Sequence, residues 1–139
     1  MTFGQTLPTP RRPPGGKLRV GILGATGAVG QKFVRLLDGH PWFEVAALAA
    51  SVRSQGKKYE DAVRWLEPTP LPRWAGGLPV EAPAPVLACD LVFSALDSEV
   101  ASEVEPLFAG TGTPVISNAG SFRMDSGVPL LIPEVNPDH

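Results

Sequence analysis

The sequence predicts an α/β fold, a mostly parallel sheet with helices on both faces. Three observations carry that expectation. Short apolar runs of strand length alternate with segments of helical periodicity, the order that yields parallel strands joined by crossover helices. The first apolar run opens directly into a turn with a glycine at every third position. Finally, 43% of the 139 residues are hydrophobic and 19% charged, enough apolar side chain for one packed core.

Lys17-Leu18-Arg19-Val20-Gly21-Ile22-Leu23 reads as the first buried strand. It runs into Gly24-Ala25-Thr26-Gly27-Ala28-Val29-Gly30, after which Val29, Phe33, Leu36 and Leu37 mark one face of a helix. Gly39 stands where a helix C-cap favours glycine. Phe43 to Ala50 is a second apolar run, and Tyr59, Val63 and Leu66 suggest a short helix ended by Pro68. Residues 67–87 carry eight of the chain's prolines and glycines and show no periodicity, so they read as a loop. Leu91-Val92-Phe93 centres a third strand. Val100, Val104, Leu107 and Phe108 repeat the helical face, with Pro106 expected to kink or shorten that helix. Pro114 to Ser117 gives a fourth strand, and Leu130-Leu131-Ile132 is the candidate fifth. Residues 1–16 hold seven prolines and glycines and read as a disordered Pro-rich tail. Residues 17–139 then form a single domain.

The glycine turn is the strongest chemical signal. A dinucleotide pyrophosphate must approach the backbone closely, which side chains would block, and the turn itself needs positive φ. The helix that starts near Thr26 offers unpaired N–H groups and a positive dipole end to the phosphates. Glycines also serve tight helix–strand packing, but the flanking strand, the flanking helix and the early position all favour the nucleotide. An NAD site places an acid about 20 residues past such a turn, for the ribose 2′-hydroxyl. Ala49-Ala50-Ser51-Val52-Arg53-Ser54 stands there instead, with no acid between Glu44 and Glu60. Two hydroxyls and a guanidinium suit a 2′-phosphate, so the expected cofactor is NADP. Ser94-Ala95-Leu96 follows the third strand, at the carboxyl end where open α/β sheets bind ligands.

Other residues exclude more than they propose. Twelve basic and 14 acidic side chains leave a formal charge of -2, which argues against a nucleic-acid partner. A single cysteine excludes an intrachain disulfide framework and a cysteine-rich metal site, and it fits a reducing, cytoplasmic setting. Cys89 opens a buried strand with no histidine placed to activate it, and reads as structural. No apolar run is long enough to cross a membrane, and Arg11 and Arg12 lack the hydrophobic region of an export signal. Tyr59 has Val63 four residues on, so the Tyr-x-x-x-Lys pair of short-chain dehydrogenases is absent. Arg123, in Ser117-Asn118-Ala119-Gly120-Ser121-Phe122-Arg123-Met124, reads equally as a bidentate anion clamp or a surface arginine in a turn.

Assembled, these motifs resemble the N-terminal part of the aspartate-β-semialdehyde dehydrogenase family, from about Leu18 to His139. The resemblance rests on Gly-Ala-Thr-Gly-Ala-Val-Gly, Ala-Ala-Ser-Val-Arg-Ser, Leu-Val-Phe-Ser-Ala-Leu, Ser-Asn-Ala with Phe-Arg-Met-Asp, and Val-Pro-Leu-Leu-Ile-Pro-Glu-Val-Asn-Pro. It implies a Rossmann-like domain and a role in NADPH-dependent reductive dephosphorylation of aspartyl phosphate, on the route to lysine, threonine and methionine. By resemblance, Gly24, Thr26, Gly27, Ala28 and Val29 hold the cofactor phosphates. Ser51, Arg53 and Ser54 take the 2′-phosphate, and Ser94 and Ala95 line the path to the nicotinamide. Arg123, with Asn118 nearby, grips the acyl phosphate. The family's full-length members are expected to be homo-oligomers.

The resemblance also implies an absence. The family's nucleophile is a cysteine in an Asn-Cys-Ser/Thr context and its base a distant histidine, and neither falls within these 139 residues. Covalent chemistry needs that thiolate. The expectation is therefore a cofactor-binding domain truncated before the catalytic and dimerisation domain, with no catalytic residue and no turnover alone. The alternatives are a piece of the related N-acetyl-γ-glutamyl-phosphate reductase, and a stand-alone NADP-binding or regulatory module.

Overall fold

In the computed structural model, residues 16–138 are described. The Pro-rich segment expected at 1–16 therefore lies outside the described residues apart from Gly16, as does His139. The chain runs β1 (Leu18–Leu23), α1 (Ala28–Leu37), β2 (Phe43–Ala49), α2 (Tyr59–Ala62), α3 (Arg73–Gly76), β3 (Val80–Glu81), β4 (Leu91–Ser94), α4 (Ser98–Gly110) and β5 (Val115–Ser117). The five strands form one sheet in the order β3-β2-β1-β4-β5, every neighbouring pair parallel. The expected α/β class holds.

Alternation along the strands separates the two faces of the sheet, because successive side chains of a strand point to opposite sides. Val20, Ile22, Leu48 and Phe93 belong to one buried cluster, together with Val34 and Leu37 of α1. Leu23, Ala49 and Val92 belong to a second, which Phe108 of α4 completes. The crossover from β1 to β2 thus covers one face and the crossover from β4 to β5 the other. Chain connections running left from β1 and right from β4 require this, since parallel crossovers are right-handed. Phe33 stacks on Phe93 with ring centroids 5.2 Å apart, and Phe43 meets Phe93 edge-on at 5.6 Å.

Two helical faces differ from the sequence expectation. In α1 the buried positions are Gly30, Gln31, Val34 and Leu37, while Val29 and Leu36 are exposed. The rotation is set by Gly30, where a Cβ would overlap the Gly24 carbonyl oxygen, so this residue must face the turn. In α4 the buried positions are Ala101, Glu105 and Phe108, and Val100 and Leu107 are exposed. Here Glu105 is drawn inward because its carboxylate accepts a hydrogen bond from the Ser117 hydroxyl. The helix continues through Pro106 to Gly110, losing one backbone donor rather than ending.

The Pro-rich stretch 67–87 is not all loop. It contributes α3 and the edge strand β3, which pairs Val80 with Leu48 and Glu81 with Ala49. A two-residue strand among prolines leaves no periodicity to read. The fifth strand is therefore Val80–Glu81, and Leu130 to Ile132 are exposed, non-strand backbone. No helix among the described residues is long and apolar enough to cross a membrane.

Ile22 sits in the central strand, fully buried. Truncation to alanine removes three carbons from a two-sided core, so Ile22→Ala is expected to lower unfolding free energy by about 2–5 kcal/mol, measured as a fall in the urea midpoint at unchanged slope.

Candidate functional site

The register of the sheet brings the sequence-predicted residues together. Leu23 pairs with Ala49 on one side and with Ser94 on the other, and Ser94 pairs with Ser117. The segments after these residues, 24–30, 50–54, 95–97 and 118–123, therefore all leave the same carboxyl edge. Strand order reverses at β1, which is where open α/β sheets hold ligands.

At that reversal the glycine turn is packed against the end of β4. Gly24 has φ +76°, and a Cβ on it would lie 2.6 Å from the Ala95 carbonyl oxygen. No other residue type fits both the dihedral and the space. Gly24 and Ala25 both donate to the Ala49 carbonyl, at 2.9 and 3.0 Å, while Ala95 donates to Leu23 at 2.8 Å. The turn closes through Gly27 N–H to the Gly24 carbonyl at 3.2 Å. Gly27 is the N-cap of α1, with no side chain to satisfy the first amides and no acid in the first turn. Among the described residues, the amides of Thr26, Ala28 and Val29 have no acceptor, and Gly27, Ala28 and Val29 are exposed. Free donors at the positive end of a ten-residue helix form a place for phosphate oxygens.

Ser51 and Arg53 are exposed and Ser54 half-buried, in the turn that follows β2. Arg53 has no ion-pair partner among the described residues, so its five donors remain available to an anion. This loop is framed rather than loose. Ala50 donates to Glu81, Gly56 to Val80 and Tyr59 to Leu78, so β3 and the residues before it hold both ends. Ser94 is fully buried, and its hydroxyl has no hydrogen-bond partner among the described residues. A buried hydroxyl without a partner is costly unless a ligand completes it. Together with the glycine turn, it fits a dinucleotide laid across the strand ends.

The segment after β5 is tied to the same edge. Asn118 donates its amide to the Ser94 carbonyl at 2.9 Å, and an Arg123 terminal nitrogen donates to the Asn118 carbonyl at 3.3 Å. Ser117 links the two neighbours, donating to buried Glu105 and accepting from the Ala119 amide at 3.0 Å. Arg123 remains exposed, with most of its guanidinium donors uncommitted. Asn118 and Arg123 thus stand beside the candidate cofactor edge, not on a remote turn.

Sequence reasoning missed two residues of this region. Tyr59 is fully buried, and its hydroxyl donates to the Ala25 carbonyl at 2.7 Å. Gln31, also buried, donates to the Thr26 and Arg64 carbonyls and accepts from the Leu66 amide. Gln31, a polar residue on a helix, reads as solvated, and Tyr59 was legible only as the first position of a short helical face and as the sole tyrosine.

The family model of the semialdehyde dehydrogenase NAD-binding domain matches residues 19–139. This chain belongs to that family. Aspartate-semialdehyde dehydrogenase of Archaeoglobus fulgidus is 51% identical over 121 residues, 86% of this chain and 35% of the relative. The Candida albicans enzyme of the same name is 48% identical over 124 residues, 87% of this chain and 34% of its own. The chain spans about a third of the length of the curated relatives it matches. A crystal structure of aspartate semialdehyde dehydrogenase with NADP from Candida albicans superposes with TM-score 0.86 at 46% identity, covering 89% of this chain and 36% of that one. The expected membership of the semialdehyde dehydrogenase family, through its NAD-binding domain, agrees with these findings.

Cys89 is half-buried at the edge of the core. It packs beside the Leu23 and Val92 cluster, and a Cβ on Gly21 would stand 3.1 Å from its Sγ. Burial pushes its thiol up, Arg19 draws it partly back, and Glu81 and Asp90 push it further up. A raised thiol holds less thiolate at any given pH. The pH profile of its alkylation by iodoacetamide should therefore be displaced to higher pH than that of free cysteine, and a profile displaced to lower pH would contradict the assignment as inert.

Proposed function

We propose that this domain is the cofactor-binding part of an aspartate-semialdehyde dehydrogenase, acting on aspartyl phosphate with NADPH in a cytoplasmic, amino-acid biosynthetic setting. The observation that carries the reading is the meeting of the glycine turn with Ala95 at the strand-order reversal, beside a Ser94 hydroxyl that has no partner among the described residues. The amides of Thr26, Ala28 and Val29 receive the pyrophosphate, and Gly24 and Gly27, whose own amides are bonded within the fold, border it where a side chain would only intrude. Ser51, Arg53 and Ser54 receive the 2′-phosphate. The Ser94 hydroxyl and the Ala95 backbone border the cofactor's path across the strand ends, and the bound cofactor supplies hydride. Arg123, steadied by the Asn118 carbonyl, presents its remaining donors to the acyl phosphate. A family-wide homo-oligomer formed through other residues belongs to the same reading.

Residues 1–139 supply binding and orientation. Cys89 supplies no nucleophile in this reading, because it packs half-buried against a core cluster with its thiol pushed up. Phosphate-dependent NADP reduction with aspartate semialdehyde is expected to proceed at no measurable rate with this chain by itself, followed as absorbance of the reduced nicotinamide. Robust turnover would assign Cys89 a role it is denied here.

The cofactor preference has its own test. Titration calorimetry should show tighter binding of NADP than of NAD, and Arg53→Ala should weaken NADP by about 1.5–3 kcal/mol while leaving NAD nearly unchanged. Equal affinities of the unaltered chain for the two dinucleotides would remove the 2′-phosphate role from Ser51, Arg53 and Ser54.

A further inference from the structure

The direction in which a turn presents its amides is set by where its carbonyls are held. A trans peptide unit is planar, with its C=O and N–H on opposite sides, and no cis bond occurs among the described residues. In the glycine turn, two consecutive carbonyls are anchored by side chains from elsewhere in the chain. The Ala25 carbonyl accepts from the Tyr59 hydroxyl at 2.7 Å, inside the core. The Thr26 carbonyl accepts from Gln31 Nε2 at 3.0 Å. The first tie turns the Thr26 N–H away from the core, toward the exposed side of the turn. The second turns the Gly27 N–H back inward, where it closes on the Gly24 carbonyl.

We infer that Tyr59 and Gln31 are positioning residues for the phosphate site, Tyr59 aiming the Thr26 amide outward and Gln31 locking the turn behind it. The inference rests on the cofactor reading given above and adds to it the devices that pre-organise the amides. Neither residue is on the exposed surface that a ligand would touch: Tyr59 is 0% and Gln31 1% exposed. Both are tied to further backbone. Tyr59 accepts the Val63 amide at its carbonyl and donates its own amide to Leu78. Gln31 bridges to Arg64 and Leu66 at 3.0 and 2.7 Å. The anchors are therefore fixed before any ligand arrives, which is what makes a donor array effective on binding.

Tyr59 also joins the two halves of the proposed cofactor site. It ends the loop that carries Ser51, Arg53 and Ser54, while its hydroxyl reaches the turn that carries Thr26. A pyrophosphate-specific defect is thus the signature of these anchors, and a general loosening of the domain is not.

The test compares two probes by calorimetry on the 139-residue chain, well below its melting temperature. NADP engages the glycine turn and the 51–54 loop; adenosine 2′-monophosphate has no pyrophosphate and engages only the loop. Tyr59→Phe keeps the ring and removes the hydroxyl. It is expected to weaken NADP on the order of tenfold while leaving adenosine 2′-monophosphate within about twofold. Gln31→Met, which fills the same space without the donor, should show the same selective loss, and carries the test if Tyr59→Phe does not fold. An unchanged ratio of the two affinities, whether both fall or neither does, overturns the inference. An unaltered chain that binds neither probe overturns the cofactor reading itself.

Discussion

The structure turns on a close approach of two backbones. β1 and β4 are neighbours in the sheet, and the loops that leave their carboxyl ends must diverge to opposite faces of it. They do so in contact, with Gly24 held in a left-handed conformation against the Ala95 carbonyl. A side chain at Gly24 would push the strand ends apart, and one at Gly30 would lift α1 off the turn. Both glycines are therefore demanded by packing as well as by chemistry. The same absence of side chains that lets β1, α1 and β4 meet leaves room for a ligand's phosphates to reach the free amides of α1.

Around that contact, polar groups are arranged so that the turn is held from behind and open in front. The Tyr59 hydroxyl and the Gln31 amide occupy the carbonyls, while the Ser94 hydroxyl and several turn amides have no partner among the described residues. Burial pushes the Tyr59 phenol up from the ordinary tyrosine range, which favours the protonated form that donates to Ala25. On the other side of the edge, a chain of hydrogen bonds from Glu105 through Ser117 steadies the turn bearing Asn118, whose carbonyl receives Arg123. The two halves of the edge are linked where Asn118 donates to the Ser94 carbonyl.

Much of this was legible in the sequence. The apolar runs at Leu18–Leu23, Phe43–Ala49 and Leu91–Ser94 are strands because both of their faces are covered, and continuous hydrophobicity is the mark of such strands. The glycine turn was legible because few needs place a glycine at every third position after a strand. Less was legible where periodicity is weak or misleading. Val29 and Leu36 satisfy the helical period of α1, yet the burial of Gly30 rotates both toward solvent. Leu130 to Ile132 have the composition of a strand, but the sheet took its fifth member from Val80–Glu81 instead.

By itself, then, the sequence determined the fold class, the glycine turn and the candidate residues at each strand end, because local patterning and the special geometry of glycine act over a few residues. It also carried the family resemblance that the match over residues 19–139 bears out. Only the tertiary structure decided which helix faces are buried and that the apparent loop at 67–87 supplies an edge strand. Only the tertiary structure, too, set Tyr59 and Gln31 as the anchors of the turn. Those outcomes depend on contacts between residues far apart in the chain, such as Tyr59 with Ala25 and Gln31 with Leu66. No local pattern encodes a hydrogen bond that spans 34 or 35 residues.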